Sequence, residues 1–254
     1  MKRLIFSILT MLIPATIFAQ TANWITADDT TRNDRNVWIE FRKDFVLKKQ
    51  VKKAEARIAA DSKYWLWING EMVVFEGGLK RGPNRNDTYY DVVDLSSYLK
   101  KGKNDIKVLL WHFGKSGFSH NSSGKSGMII DAPAISLRTD KSWLSQRLDC
   151  YQMADKPRPN YRLSEANIRY DARLEGQERL KPSLEIGKWG DQPWGNLVVR
   201  PIPQWKDYGV KEAQWTTGKD DEGNVVLAAR LPYNMQMTPV IELTAAKEGT
   251  TVRM

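Results

Sequence analysis

Cysteine and histidine are the scarcest chemistry-bearing residues of this 254-residue chain: Cys150 stands alone, and His112 and His120 are the only imidazoles. One cysteine excludes an intrachain disulfide, so the fold must be held by packing. Activating that thiol would take a neighbouring histidine, and neither stands near it in sequence, so Cys150 reads as a plain buried or half-buried residue. The same scarcity leaves a zinc site short of soft or imidazole ligands at suitable spacing. No EF-hand-like run, internal repeat, coiled-coil heptad or low-complexity segment is present. Helix is also scarce, with at most one or two turns expected over 163–168 and 175–180.

Long apolar runs are lacking except at the start. Met1-Lys2-Arg3 is a basic n-region, 4–18 is an apolar core short for a membrane span, and Ala19 is a small residue suited to signal-peptidase cleavage. We read residues 1–19 as a Sec signal peptide. Ile17 departs from the small-residue preference, so a cut after Ala22 is the alternative, and an uncleaved anchor is the other. No cysteine stands near the cut to take a lipid, so the expected product is periplasmic or secreted, with no membrane attachment after cleavage. The formal charge is +9, but 39 Lys and Arg are interleaved with 30 Asp and Glu. That pattern argues against nucleic acid as a partner and suits solubility or attraction to acidic glycans.

What is abundant is strand pattern. In 37–46, Val37, Ile39 and Phe41 alternate with Trp38, Glu40 and Arg42, and in 54–60 Ala56, Ile58 and Ala60 share a face. Tyr64, Leu66 and Ile68 alternate with Trp65 and Trp67, which predicts a strand covered on both sides. Asn69-Gly70 then fits a type I′ turn leading into Met72 to Phe75, so a hairpin is predicted. Strand 88–93 follows, then a helical turn at 95–99 behind Asp94, a stop at Gly102, and a strand over 105–113. The loop 114–127 is rich in Gly and Ser. Its Gly-Lys-Ser pairs are not phosphate loops, because Ser119 and Leu109 stand where a leading glycine is required and no helix follows.

Tyr64-x-Leu66-x-x-Asn69-Gly70 is followed by Tyr90-x-x-x-Asp94-Leu95-x-x-x-Leu99-x-x-Gly102-x-Asn104 and later by Tyr170-Asp171-Ala172-Arg173. This order resembles the N-terminal β-sandwich module of bacterial α-L-rhamnosidases and related glycoside hydrolases. Where that family places a Glu before the last motif, this chain has Ile168 or Asn167. The resemblance implies an all-β fold: a galactose-binding-like jelly-roll sandwich over 23–203, then an incomplete second β-sandwich over 204–254, with Pro201 and Pro203 marking the boundary. The final strand pattern stops at Met254, as a truncated domain would.

The catalytic carboxylates of that family lie on a helical barrel that follows the β modules. Nothing here matches them, so no catalytic residue is assigned and the chain alone is expected to be inactive. Local acid pairs such as Asp28-Asp29 and Asp220-Asp221-Glu222 read as loop or cap residues. The implied role is a non-catalytic module of an exported enzyme, packed on the catalytic domain and holding rhamnose-containing glycan. The alternative is a stand-alone carbohydrate-binding or structural interaction module. No cofactor is expected, though such jelly rolls often hold calcium. Candidate carbohydrate-binding residues are Arg81, Asn84, Arg85, Asn86, Trp111, His112 and His120, on loops and a strand end flanking the central hairpin. Trp65, Trp67 and Trp111 are read as sandwich core rather than sugar platform.

Overall fold

The computed structural model describes residues 22–28, 35–78, 82–117, 121–154, 168–177, 179–206, 208–233, 240 and 242. The leader assigned to 1–19, Arg81 and His120 lie outside the described residues. The chain divides into two units, Met1–Trp205 and Lys206–Met254.

The first unit is a β-sandwich. One sheet takes, in spatial order, β14 (Leu184–Lys188), β1 (Asn23–Thr26), β8 (Gly127–Ala132), β3 (Glu55–Asp61), β6 (Thr88–Asp94) and β15 (Leu197–Val199), with β9 (Leu137–Arg138) paired to β8. The other takes β13 (Lys181–Pro182), β10 (Leu144–Arg147), β2 (Val37–Leu47), β7 (Gly102–His112), β4 (Lys63–Ile68) and β5 (Glu71–Gly77). A short ribbon pairs β11 (Tyr151–Met153) with β12 (Ile168–Tyr170).

Alternation decides which side chains enter the core. Ile39 and Phe41 of β2, Tyr64, Leu66 and Ile68 of β4, and Ile106, Val108 and Leu110 of β7 meet Ile25, Ala56, Ile58, Ala60, Met128 and Ile130 of the facing sheet. Asn69 (φ 51°) and Gly70 (φ 82°) both adopt positive φ, as the β4–β5 hairpin turn requires. Asp94 accepts the Ser96 backbone N–H at 3.0 Å, and the helical turn is a 3-10 turn over Ser96–Tyr98. No helix forms over the described part of 175–180; a 3-10 turn, Ala172–Leu174, lies just before it.

The tryptophans correct one expectation. Trp65 and Trp67 alternate with Tyr64, Leu66 and Ile68, and Trp111 follows Leu110, so all three face outward, away from the core between the sheets. Trp111 is nonetheless fully buried, because the outer face carries a second apolar cluster of Trp38, Trp111 and Phe113, with Trp65, Leu109, Leu148, Tyr151 and Ile168 against it. Trp67 is half-buried, with the Lys107 ammonium 4.5 Å from its ring centre. The opposite sheet has its own outer cluster, where Trp24 stacks on Trp194 at 4.6 Å beside Ala59 and Ile129.

In the second unit, β16 (Trp215–Lys219) and β17 (Val225–Ala229) form an antiparallel hairpin. Asp220 closes its turn, accepting from the Glu222 and Asn224 backbone N–H groups at 3.0 and 2.8 Å.

Candidate functional site

The register gathers several loops at one end of the sandwich. β2 begins there with Val37 opposite His112, the last residue of β7; β3 ends there with Asp61 opposite Gly127; and β6 begins there at Thr88. The described segments around 36, 61–62, 82–87, 113–117 and 121–126 therefore share this end. So do residues 147–153, because β10 runs antiparallel to β2 and Arg147 lies opposite Ile39.

Asn84, Arg85 and Asn86 are exposed on this end. The Asn84 carboxamide oxygen accepts from the backbone N–H groups of Asn86 (2.8 Å) and Asp87 (3.0 Å), while its nitrogen donates to Asp87 Oδ2 (2.8 Å). Asn84 thus shapes its own loop, as Asn does in turns. Asp87 Oδ1 in turn accepts the Asn196 N–H at 3.0 Å. A Cβ at Gly195 would collide with the Asn86 carbonyl, so this close approach needs glycine.

Trp111 and His112 lie beneath the surface, both 0% exposed. The Trp111 ring stacks on Trp38 at 4.8 Å, and Trp38 stacks on Tyr151 at 4.2 Å. The Trp111 indole N–H donates to Asn36 Oδ1 at 2.7 Å, and the Asn36 amide approaches Met153 Sδ at 3.5 Å. Trp111 therefore supports the end of the sandwich from below.

His112 is bound to Asp61. Its Nδ1–H donates to the Asp61 carbonyl at 2.8 Å and lies 3.4 Å from the carboxylate. That carboxylate also accepts from Ser62 Oγ (2.9 Å), Ser122 Oγ (3.2 Å) and the Ser123 N–H (2.6 Å), which fastens the Gly-Ser loop to the end of β3. Burial pushes the Asp61 carboxyl up, but the His112 hydrogen bond and charge and the Ser123 donors outweigh it and hold the group at about 2. The Ser62 hydroxyl donates to the acid rather than to the imidazole, so this Ser-His-Asp grouping has no activated nucleophile and acts as a clamp.

Beside Asn36 opens a cleft of about 320 Å³ lined by Arg35, Asn36, Arg147, Asp149, Tyr151, Gln152 and Met153. None of these residues is among the candidates named from the sequence. Asn36 carries the one available signal, a residue tolerant of positive φ (54°) immediately before a strand. The Tyr170-Asp171-Ala172-Arg173 motif backs this cleft, since Tyr170 pairs with Tyr151 across the β11–β12 ribbon. Arg173 grips Asp171 through Nε (2.8 Å) and Nη2 (2.7 Å), lowering that carboxyl to about 2, and the Asp171 N–H donates to the Cys150 carbonyl at 2.8 Å. Cys150 is buried, and burial pushes its thiol up, which makes it a structural residue. Among the described residues, no group of three His, Cys, Asp or Glu side chains could hold a metal ion.

No family model matches the chain, and no curated protein does. Solved structures do. The GH78 family rhamnosidase of Bacillus sp. GL1 is 30% identical, with a TM-score of 0.56 over 72% of this chain and 20% of its own. The α-L-rhamnosidases of Aspergillus terreus and Dictyoglumus thermophilum are each 20% identical, with TM-scores of 0.59 and 0.57 over 82% of this chain and 25% of theirs. The chain spans a fifth to a quarter of the length of these enzymes, and its sandwich has their fold.

Proposed function

We propose, starting from a chain that resembles the β-sandwich region of α-L-rhamnosidases, that it serves as the non-catalytic N-terminal module of an exported enzyme of that kind. In this role it packs on the catalytic domain and holds rhamnose-containing glycan at the loop end of its sandwich. The observation that carries the reading is the cleft of about 320 Å³ on a fold shared with rhamnosidases.

The chemistry of the lining suits a polyhydroxylated ring. Arg35 and Arg147 offer guanidinium donors, Asn36 and Gln152 offer amides, and Asp149, 3.8 Å from Arg147, offers an acceptor, while Tyr151 and Met153 supply apolar surface for the C–H face of a pyranose. Asp149 is the single carboxylate among the described lining residues, whereas glycoside hydrolysis takes two acids flanking the scissile bond. Other acids are committed to structure: Asp91 to Tyr64 and Arg200, Asp61 to His112, and Asp94 and Asp220 to turns. Export rests on the leader pattern of residues 1–19.

Calorimetry of the full chain with L-rhamnose and rhamnosyl disaccharides, beside a chromogenic rhamnoside assay, tests this. We expect binding with a Kd on the order of 1 mM, weakened about tenfold by Arg147→Ala, a loss on the scale of one charged hydrogen bond, and no turnover. Absence of heat at saturating sugar would refute the binding role. Hydrolysis by the chain alone would refute the non-catalytic one.

A further inference from the structure

The end of the sandwich opposite the cleft is a second surface of different chemistry. Residues 48–53 and 95–103 carry Lys48, Lys49, Lys52 and Lys53 and then Lys100, Lys101 and Lys103, with no acid and no arginine. All seven lysines are exposed. The sequence places them in two runs 40-odd positions apart, and the fold brings the runs together. Leu47 pairs with Gly102 at the β2–β7 end, the Leu95 N–H donates to the Ala54 carbonyl at 2.8 Å, and the Gln50 amide donates to the Leu99 carbonyl at 2.9 Å.

The platform beneath them is built from buried amide contacts. Asn104, 3% exposed, accepts the Lys100 N–H at 3.0 Å and donates to the Lys100 and Gly102 carbonyls at 2.8 and 3.0 Å. Asn69, at the hairpin turn, donates to Asn104 Oδ1 (2.9 Å) and to the Tyr98 carbonyl (2.8 Å). The lysines therefore stand on a fixed backbone. Acids border the lysines: Glu71 just after the hairpin turn, Glu55 and Asp94 at strand ends, and Asp44 paired with Asp105 on β2 and β7. Hydrogen bonds from Ser96 and, after them, the charge of Lys53 lower the Asp94 carboxyl, so that acid is engaged at the edge.

We propose that this lysine-bearing end is a docking surface for a polyanionic polysaccharide, a glycan carrying repeated carboxylates. Like charges held on one rigid end create a field that attracts an extended anion, and ammonium groups without the planar fork of arginine suit diffuse charge rather than bidentate phosphate recognition. The two runs hold one aromatic ring, Tyr98, which is half-buried, so no exposed platform for stacking bases is present. This surface lies on the end away from the cleft and does not depend on it.

The test is affinity electrophoresis of the full chain through carboxymethylcellulose, with uncharged hydroxyethylcellulose as the matched neutral polymer. We expect retardation by the anionic polymer alone, at least about tenfold weaker on raising salt from roughly 50 to roughly 300 mM as screening shortens. The triple variant Lys49→Glu, Lys52→Glu, Lys101→Glu should abolish retardation, while Lys141→Glu, Lys181→Glu, two exposed lysines elsewhere on the sandwich, should retain it. A circular dichroism melt confirms that both variants fold. Equal retardation in the neutral polymer, or no effect of the triple variant, overturns the proposal. Binding only to duplex DNA or only to phosphatidylglycerol vesicles overturns it as well. The Arg147→Ala variant should leave retardation unchanged, which separates this surface from the cleft.

Discussion

Two buried carboxylates, Asp91 and Asp61, solve the same problem with different partners. A carboxylate removed from water must be compensated by charge or by donors. Asp91, on β6, receives the guanidinium of Arg200, the Tyr64 hydroxyl at 2.7 Å and the Gly78 N–H at 3.1 Å. Asp61, at the end of β3, receives an imidazole, two serine hydroxyls and one backbone N–H. Arg200 is a permanent cation that comes from 109 positions along the chain, so Asp91 ties the exit segment of the sandwich to its core. The partners of Asp61 are an imidazole and neutral groups, and through them Asp61 ties a loop.

The largest expected effect lies at the fixed pair. Arg200→Met leaves Asp91 buried without its cation and should cost about 3–5 kcal/mol in urea denaturation, whereas the double variant Asp91→Leu, Arg200→Met should recover much of that loss. A single variant close to wild type would show that Arg200 is not the compensating charge.

Next is the acid limb of Asp61. Its folded value of about 2 lies below the ordinary carboxyl value of 3.8, so the stability it contributes is fully present above pH 4 and is lost as pH falls toward 2. The loss should approach about 2 kcal/mol, and the Asp61→Asn variant should lack this part of the pH dependence. Tyr64→Phe removes one hydrogen bond to the buried Asp91 carboxylate and should cost about 1.5 kcal/mol. The burial and the neighbouring carboxylate that raise the Tyr64 phenol well above its usual value also predict that its ultraviolet ionisation appears only on alkaline unfolding. Smallest is Asp171→Ala, which breaks an Arg173 fork whose guanidinium is 84% exposed and should not shift the denaturation midpoint measurably.

Much of the sandwich is legible in residue alternation. Tyr64, Leu66 and Ile68 specify the inward face of β4, Asn69-Gly70 specifies its turn, and Ala56, Ile58 and Ala60 specify the inward face of β3. The outer aromatic layers are not legible that way. Alternation shows that Trp38, Trp65 and Trp111 share a face, but only the β10–β2 register and the return of Tyr151 reveal what covers them. The cleft is hidden for the same reason, since it joins Arg35 and Asn36 to residues 147–153 through pairing that local sequence does not encode. Likewise, Asp91 and Arg200 show no local sign of being partners. Trp111 and His112 were legible as residues at the end of a strand beside loops. That the end is roofed, leaving them as supports, follows from tertiary packing.

Sugar binding at the cleft is tested by an amide NMR titration of the full chain with L-rhamnose. Saturable shifts are expected at Asn36, Arg147, Tyr151 and Gln152, with Lys49 and Lys101 unmoved. Shifts confined to other parts of the sandwich, or none at sugar concentrations well above about 1 mM, would contradict it.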